Sequence, residues 1–207
     1  MKKAVIFDMD GTLWDSVDNI VLSWNRALQE MDGNDLVITR DRLLGLMGKT
    51  MDKFAEAFFP QYRPEKGMEL FHVLELAENE YLRRHGAVLL GDVEDVFRSL
   101  HKQGWGVCIV SNCQSGYIEA FLEHYHLESL VDDTECYGDT GRGKADNLKT
   151  VVARNHLEKY WYLGDTQGDY DACAKAGVPF IWASYGFGSV EAEVPKVDSL
   201  EEILQIV

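Results

Sequence analysis

Two aspartates, Asp8 and Asp10, stand one residue apart directly after the short apolar run Ala4–Phe7. That run has the composition of a buried strand, and it ends abruptly in Asp8-Met9-Asp10-Gly11-Thr12-Leu13. Where a strand becomes a loop, side chains no longer alternate between two faces, so both carboxylates can approach one point. Gly11 lets backbone N–H groups come close to an anion. The pattern therefore favours acid, base or nucleophilic chemistry over an ordinary acidic turn.

Two further polar clusters could take part in the same chemistry. Ser111 and Asn112 follow the apolar run Gly106–Val110, and a hydroxyl and a backbone N–H at that position can bind phosphate oxygens. Lys144 precedes an amphipathic helix pattern and offers a point cation. A lysine at such a position is ordinarily solvated, and Lys149 lies nearby as an alternative, so the cation depends on convergence with the other clusters.

A last pair of carboxylates, Asp165 and Asp169, follows the apolar run Trp161–Leu163. Two carboxylates four residues apart at a strand end can share one hard cation, directly or through water. The alternative for Asp169 is a charge that stabilises the start of a helix.

The elements that must position these residues are short strands and amphipathic helices. Apolar runs at residues 4–7, 106–110, 161–163 and 180–182 are typical of central strands in a parallel sheet. Apolar residues at helical spacing lie between them, from about residue 88 onward. This alternation predicts an α/β fold with a doubly wound parallel sheet. Ligands of such sheets bind at the carboxyl ends of the strands, which is where the polar clusters fall.

Residues 16–84 interrupt the alternation with helical patterns only, around Trp24, Phe54 and Leu74. We therefore predict an all-helical domain over 16–84, inserted into an α/β core made of residues 1–15 and 85–207. The two crossing segments are expected near residues 14–18 and 84–89.

Composition excludes several classes of protein. The 207 residues include 35 Asp plus Glu against 20 Lys plus Arg, a formal net charge of −15, without a basic cluster. Binding to nucleic acid or to an anionic membrane surface is therefore not expected.

No run approaches the ~20 apolar residues of a membrane span, and no signal peptide is expected. The four cysteines form no CxxC pair, which predicts reduced thiols and a cytoplasmic location. Oligomeric state is not indicated.

Taken together and in this order, the motifs resemble those of the haloacid dehalogenase-like (HAD) hydrolases, in the phosphatase branch that carries a helical cap. They are Asp8-x-Asp10-Gly11-Thr12, Ser111-Asn112, Lys144 and Gly164-Asp165-x-x-x-Asp169. The subgroup resembled most is that of phosphoglycolate phosphatase and its sugar-phosphate relatives, and the resemblance extends over essentially the whole chain. It departs at Ala145, because many members have a proline soon after the lysine.

The resemblance implies a Rossmann-like core, a Mg²⁺ cofactor and a role for each motif residue. Asp8 is expected to be the nucleophile and Asp10 the general acid and base. Phosphate binding is expected at Gly11, Ser111, Asn112 and Lys144. Mg²⁺ binding is expected at Asp8, Asp165 and Asp169 and at Asp10 through its backbone carbonyl, an all-oxygen set that suits this ion.

The expected activity is Mg²⁺-dependent hydrolysis of a small phosphorylated metabolite, of the phosphoglycolate or sugar-phosphate type, through an aspartyl-phosphate. Asp10 favours phosphate-ester chemistry within the family. One alternative is a β-phosphoglucomutase-like phosphomutase, which uses the same intermediate. The other is a non-catalytic regulatory module, although such a module is expected to have lost its nucleophile or acid. In the cap, Lys49 of the segment 43–50 is either a contact to a second anionic group of the substrate or a surface charge.

Overall fold

The computed structural model describes residues 2–31 and 35–207. Within these residues, the strands are β1 (Lys3–Phe7), β2 (Trp14–Asp15), β3 (Val88–Leu89), β4 (Gly106–Ser111), β5 (Asp133–Cys136), β6 (Lys159–Gly164), β7 (Phe180–Ala183) and β8 (Lys196–Val197). The helices are α1 (Val17–Gln29), α2 (Arg40–Leu44), α3 (Met51–Phe58), α4 (Pro64–His85), α5 (Val93–Lys102), α6 (Tyr117–Tyr125), α7 (Tyr137–Thr140), α8 (Lys144–Arg154), α9 (Gln167–Ala176) and α10 (Ile203–Ile206).

The central element is a sheet in the order β5-β4-β1-β6-β7-β8, in which every neighbouring pair is parallel. Alternate residues of β1 enter different cores, Val5 and Phe7 on one face of the sheet and Ala4 and Ile6 on the other. Both faces are therefore buried, which is why the strands read as continuous apolar runs. The predicted α/β class with a parallel sheet is confirmed.

Two strands of the sheet, β8 and β5, were not predicted from the sequence. The residues of β5 are mostly polar, so they form no apolar run. Its sequence is Asp-Thr-Glu-Cys, and it lies at the edge of the sheet beside β4. Arg154 at the end of α8 binds the carboxylates of Asp133 and Glu135, with N–O distances of 2.7 and 3.1 Å. These ion pairs attach α8 to the edge strand. Central strands are held to their helices by buried apolar side chains instead.

Helices α1–α4 lie between β2 and β3, which pair as an antiparallel ribbon with Trp14 opposite Leu89. An aromatic cluster forms the centre of this helical insertion. The ring of Trp24 lies edge-on to those of Phe54, Phe58 and Phe71, at centroid separations of 6.0, 5.6 and 5.2 Å. Such edge-to-face pairs add to the stabilisation that burial already gives. The predicted domain boundaries themselves stay a prediction.

The insertion contacts the core through α4, which packs against α6. The Asn79 side-chain amide donates to the Ser115 carbonyl oxygen over 2.8 Å, and the Tyr125 hydroxyl accepts from the Ala87 N–H over 2.9 Å. Among the described residues, no helix combines the length and the apolar character that crossing a membrane requires. All four cysteines are free and buried.

Replacing Phe97 by alanine tests the packing of α5 on the sheet. Phe97 is fully buried, and its ring centroid lies 5.2 Å from that of Phe7 in β1. Because the substitution leaves a cavity, we expect it to lower the free energy of unfolding by about 3–5 kcal/mol, measured by urea denaturation. Leu76→Ala is the control, since that side chain is 57% exposed, and its effect should stay within about 0.5 kcal/mol. Equal losses for both variants would contradict this assignment of the core.

Candidate active site

The predicted site residues meet at the carboxyl edge of the sheet because their strands are neighbours. Asp8 directly follows β1, Ser111 ends β4 on one side of it, and Asp165 directly follows β6 on the other. The Asp8 N–H still donates to the Leu163 carbonyl oxygen over 2.9 Å, so the nucleophile candidate is held by the last sheet hydrogen bond. The order β4-β1-β6 thus brings three distant sequence motifs to one point.

Lys144, the first residue of α8, supplies a buried cation at this point. Its Nζ donates to Asp8 Oδ1 over 2.8 Å and to Asp169 Oδ1, and it lies 5.5 Å from the centre of the Tyr162 ring. Lys149, the alternative that the sequence left open, is half exposed and lies 3.8 Å from Asp146. The structure therefore brings Lys144, and not Lys149, to the carboxylates.

Lys144 and Asp169 each favour the charged form of the other. Burial opposes ionisation of Asp169, but the charge and hydrogen bond of Lys144 and the bonds from Thr166 outweigh it and lower its pKa. Burial also opposes the charge on Lys144, yet the two aspartates raise its pKa above the ordinary value. Asp8 differs: burial and the nearby Asp169 charge exceed the effect of Lys144 and raise the pKa of Asp8 to about 6.

Asp165 has the features of a cation ligand. Its Oδ2 accepts from the Phe187 N–H over 2.7 Å, whereas its Oδ1 is buried without a hydrogen-bond partner. Burial and the charges of Asp169 and Asp8 raise its pKa to about 8. These three carboxylates each place one oxygen within 4.8 Å of the others. An orphaned oxygen in an all-oxygen, negatively charged cluster fits Mg²⁺.

The other two predicted cation ligands contribute differently. The Asp10 carboxylate lies outside the group of three, and the expected role of its backbone carbonyl stays a prediction. Both oxygens of Asp169 already have protein partners, Lys144 for Oδ1 and Thr166 for Oδ2. Asp165 therefore has the freest oxygen for a metal ion.

Asp10 is held in a separate buried hydrogen-bond group. The Tyr117 hydroxyl lies 2.7 Å from Asp10 Oδ1, and the Ser16 hydroxyl also donates to that oxygen. Burial raises the pKa of Asp10 to about 7, although the bonds from Ser16 and Tyr117 favour its charged form. A carboxyl that titrates near neutral pH can both give and take a proton, which suits acid and base catalysis.

Gly11 has a conformation that other residues rarely adopt, with φ +80°. A Cβ at this position would also overlap the Asp165 carboxylate. Glycine is therefore required at this position for two reasons: its left-handed backbone conformation and its close packing against the Asp165 carboxylate.

The remaining predicted residues lie around a cavity above Asp8. Ser111 lines the cavity directly, as does Asn112. The Asn112 Oδ1 accepts from the Lys144 N–H over 3.1 Å, and its Nδ2 donates to the Gly48 carbonyl oxygen over 2.9 Å. Its side chain thus connects α8 with the insertion and leaves the backbone N–H as its predicted phosphate contact. Lys49 is exposed at the rim of the same cavity.

Residues 5–183 match the family model described as "Haloacid dehalogenase-like hydrolase". The chain belongs to this family. The predicted family is thereby confirmed.

This HAD hydrolase is 26% identical over 227 residues to the phosphoglycolate phosphatase of Aliivibrio fischeri, covering 98% of this chain and 91% of the relative. The phosphoglycolate phosphatase of Aquifex aeolicus is 23% identical over 199 residues, covering 93% and 90%. The crystal structure of CbbY from Rhodobacter sphaeroides in complex with phosphate has a TM-score of 0.81 at 18% identity, covering 98% and 96%, and shows the same fold. The predicted enzyme class, a phosphoric monoester hydrolase of this family, is confirmed by the family match and these relatives.

Several residues that hold the site were missed by the sequence analysis. Ser16 and Tyr117 bind Asp10, and the Tyr162 ring lies against Lys144. Nothing in the local pattern relates these residues to the aspartates. Thr166 is different, because Thr166-x-x-Asp169 is a capping box, in which each side chain bonds the other residue's backbone. That motif is readable from sequence and was available as a signal.

A prediction concerns metal binding and pH, measured by thermal unfolding without substrate. The folded-state pKa of Asp165 is raised from 3.8 to about 8, so the folded state keeps a proton that the unfolded chain loses. Stability without metal should therefore fall as the pH rises from about 4 towards 8. Mg²⁺ competes with that proton, so its stabilisation should be larger at about pH 8.5 than at about pH 5.5, reaching about 5 °C at saturation.

Two variants make this measurement specific. Asp165→Asn should abolish the shift in unfolding temperature that Mg²⁺ causes. Asp171→Asn should keep it, because Asp171 is exposed on α9 and accepts from Gln167 over 2.8 Å. A Mg²⁺ shift that survives Asp165→Asn would show that the ion binds elsewhere.

Proposed function

We propose that this HAD hydrolase is a Mg²⁺-dependent phosphatase that acts on a small phosphate ester through an aspartyl-phosphate at Asp8. The observation that carries the proposal is the contact of Asp8 with the buried Lys144, beside the orphaned oxygen of Asp165. A phosphate ester dianion repels an anionic nucleophile, so attack by a carboxylate requires positive charge around the transferred group. Relatives that bear the name phosphoglycolate phosphatase support the same reaction class.

The first half of the reaction uses Asp8 and Asp10. A carboxylate oxygen of Asp8 forms a bond to phosphorus while the bond from phosphorus to the ester oxygen breaks. Asp10, whose pKa of about 7 leaves a proton available at neutral pH, gives it to the departing alkoxide. Lys144 and the backbone N–H groups around Gly11 and Asn112 would bind the phosphoryl oxygens.

The second half regenerates the enzyme. Asp10, now ionised, takes a proton from a water molecule as that water attacks phosphorus, and the bond between phosphorus and Asp8 breaks to release inorganic phosphate. Mg²⁺, held by Asp8, Asp165 and Asp169 and by the Asp10 backbone carbonyl, would supply further neutralisation of the phosphoryl charge. The Ser16 and Tyr117 hydroxyls hold Asp10 in place for both proton transfers.

The helical insertion, residues 16–84, would act as the cap that surrounds the leaving group. Its residues and those of the core line one cavity next to Asp8 and Asp10. A small leaving group, as in phosphoglycolate or a short sugar phosphate, agrees with the relatives that bear the name phosphoglycolate phosphatase. Lys49 at the rim stays a candidate for contact with a second anionic group.

Asp8→Asn provides the test of the nucleophile. We expect phosphate release from a panel of small phosphate esters with Mg²⁺ to fall by at least about 10³-fold, because an amide does not form the covalent intermediate. Intact-mass measurement after acid quenching should detect a phosphoryl group on the wild-type protein and none on the variant. Addition of a chelator should stop phosphate release by the wild type.

Three outcomes would contradict the proposal. Unchanged turnover in Asp8→Asn would exclude the covalent step. Conversion of a sugar phosphate to its isomer without phosphate release would identify a phosphomutase, which shares the intermediate but excludes water. No turnover of any ester, with no phosphoryl group on Asp8, would favour a regulatory module.

Lys144→Met and Lys149→Met form a matched pair that tests the cation. Lys144 is buried between two aspartates, whereas Lys149 is half exposed five residues further along the same helix. We expect kcat to fall by about 10²–10³-fold in Lys144→Met, because charge stabilisation of the transferred group is lost, and to remain within about twofold in Lys149→Met. Steady-state phosphate release measures both. Equal activity of the two variants would refute the role of Lys144.

A further inference from the structure

A buried carboxyl with no part in the proposed chemistry lines the same cavity as Asp8 and Asp10. It belongs to Glu78, which lies on α4 of the helical insertion and is 2% exposed. The core supplies the phosphate end of this cavity, at Asp8 and Ser111. A second wall comes from the insertion, which in the proposed function surrounds the leaving group.

That wall is otherwise largely apolar. Its side chains from the insertion include those of Ile20, Met51 and Phe54. A single carboxyl among apolar groups gives direction to a ligand, because it is the place where a polar atom of the ligand can be satisfied. Glu78 is thus the acidic group that the insertion contributes to the cavity among the described residues.

The position of Glu78 is fixed by its neighbours. Trp24 Nε1 donates to Glu78 Oε2 over 2.6 Å, and the aromatic cluster around Trp24 holds the indole in place. Gln114 lies beside the carboxyl and is held in turn by Asn79, to whose Oδ1 it donates over 3.0 Å. The carboxyl is therefore preorganised before any ligand arrives.

The charge around this wall disfavours an anionic leaving group. Burial raises the pKa of Glu78 well above its ordinary value, with a further rise from the Asp10 charge, although bonds to Gln114 and Trp24 oppose it. A leaving-group carboxylate would have to be buried beside these two acids without a cation to pair with, and an unpaired buried charge costs far more free energy than a buried hydroxyl. Lys49 is the basic residue among the described residues that line the cavity, and it lies at the exposed rim. A hydroxyl group, in contrast, can donate to Glu78 in either protonation state and can also accept from the protonated acid.

We propose that Glu78 selects the substrate by hydrogen bonding to a hydroxyl of the leaving group, so that phosphates of polyols or sugars are preferred to esters whose leaving group carries a carboxylate. This inference rests on the proposed function, because it concerns the same cavity. Selection between hydroxylated and carboxylated leaving groups is thereby assigned to the insertion rather than to the core.

The experiment compares kcat/KM for glycerol 3-phosphate and for phosphoglycolate, both with Mg²⁺. We expect the wild type to prefer glycerol 3-phosphate by at least about tenfold, since a site built to bond a hydroxyl discriminates strongly. Glu78→Leu removes the hydrogen bond, and kcat/KM for glycerol 3-phosphate should fall by about 10- to 100-fold. Glu78→Gln keeps an acceptor for Trp24 but puts an NH2 donor in place of one carboxyl oxygen, so kcat/KM for glycerol 3-phosphate should fall less than in Glu78→Leu and the preference should shrink.

Glu75→Gln is the matched control. Glu75 lies on the same helix, is 6% exposed and bonds His72 Nδ1 over 2.9 Å, outside the cavity lining. It should keep the wild-type ratio of the two kcat/KM values. Thermal unfolding of each variant measures any loss of stability, which lowers both rates together and leaves their ratio unchanged.

Three results bear against the inference. A wild-type preference for phosphoglycolate overturns it, and if Lys49→Met removes that preference, recognition belongs to the rim. A ratio unchanged in both Glu78 variants also overturns it, while phosphate release by those variants leaves the proposed phosphatase intact. If no ester in either class releases phosphate, the proposed function fails, and the substrate inference fails with it.

Discussion

Repulsion between buried carboxylates is the constraint around which this molecule is arranged. Asp8, Asp165 and Asp169 are all buried, and each places one oxygen within 4.8 Å of the others. Charges so close and so far from water interact strongly, and isolated carboxylates in this setting would protonate or move apart. The ends of the adjacent parallel strands β1 and β6 hold Asp8 and Asp165 together, and the capping box at the start of α9 holds Asp169 beside them. The raised pKa values of Asp8 and Asp165 are the electrostatic consequence.

Lys144 offsets part of this repulsion, and the local folding of two helices determines that it can. It is the first residue of α8, and its N–H is bound by Asn112 at the end of β4. Asp169 closes the capping box at the start of α9 with one oxygen and accepts from Lys144 with the other. A helix cap, which in many proteins contributes only to stability, here also positions the cation of the site.

The acidic character of the whole chain is a separate matter from the acidity of the site. Most of the 35 acidic residues are solvated, and a formal charge of −15 disfavours polyanionic partners. Inside the site a few carboxylates face one lysine and a place for a divalent cation, so the local field need not repel a phosphate. Glu78 and Asp10 line the same cavity as Asp8, and the proposed preference for a hydroxylated leaving group rests on that placement.

The sequence by itself predicted the α/β class, which the structure confirms, together with a helical insertion and the candidate site residues Asp8, Ser111 and Asp165. Asp8 and Asp165 directly follow a strand and Ser111 ends one, and parallel strands end at one edge of the sheet. Tertiary structure decided which lysine reaches these carboxylates, since packing brings Lys144 to them and leaves Lys149 half exposed.

Only the tertiary structure revealed the partners of Asp10 and the place of Glu78. The Tyr117 hydroxyl of α6 lies 2.8 Å from that of Ser16, the residue before α1, and both bond Asp10. Glu78 of α4 accepts from Trp24 of α1 within the aromatic cluster, and α4 packs on α6. The polar edge strand β5 likewise depends on ion pairs with α8. Such contacts join residues far apart in the chain, and no period or short motif encodes them.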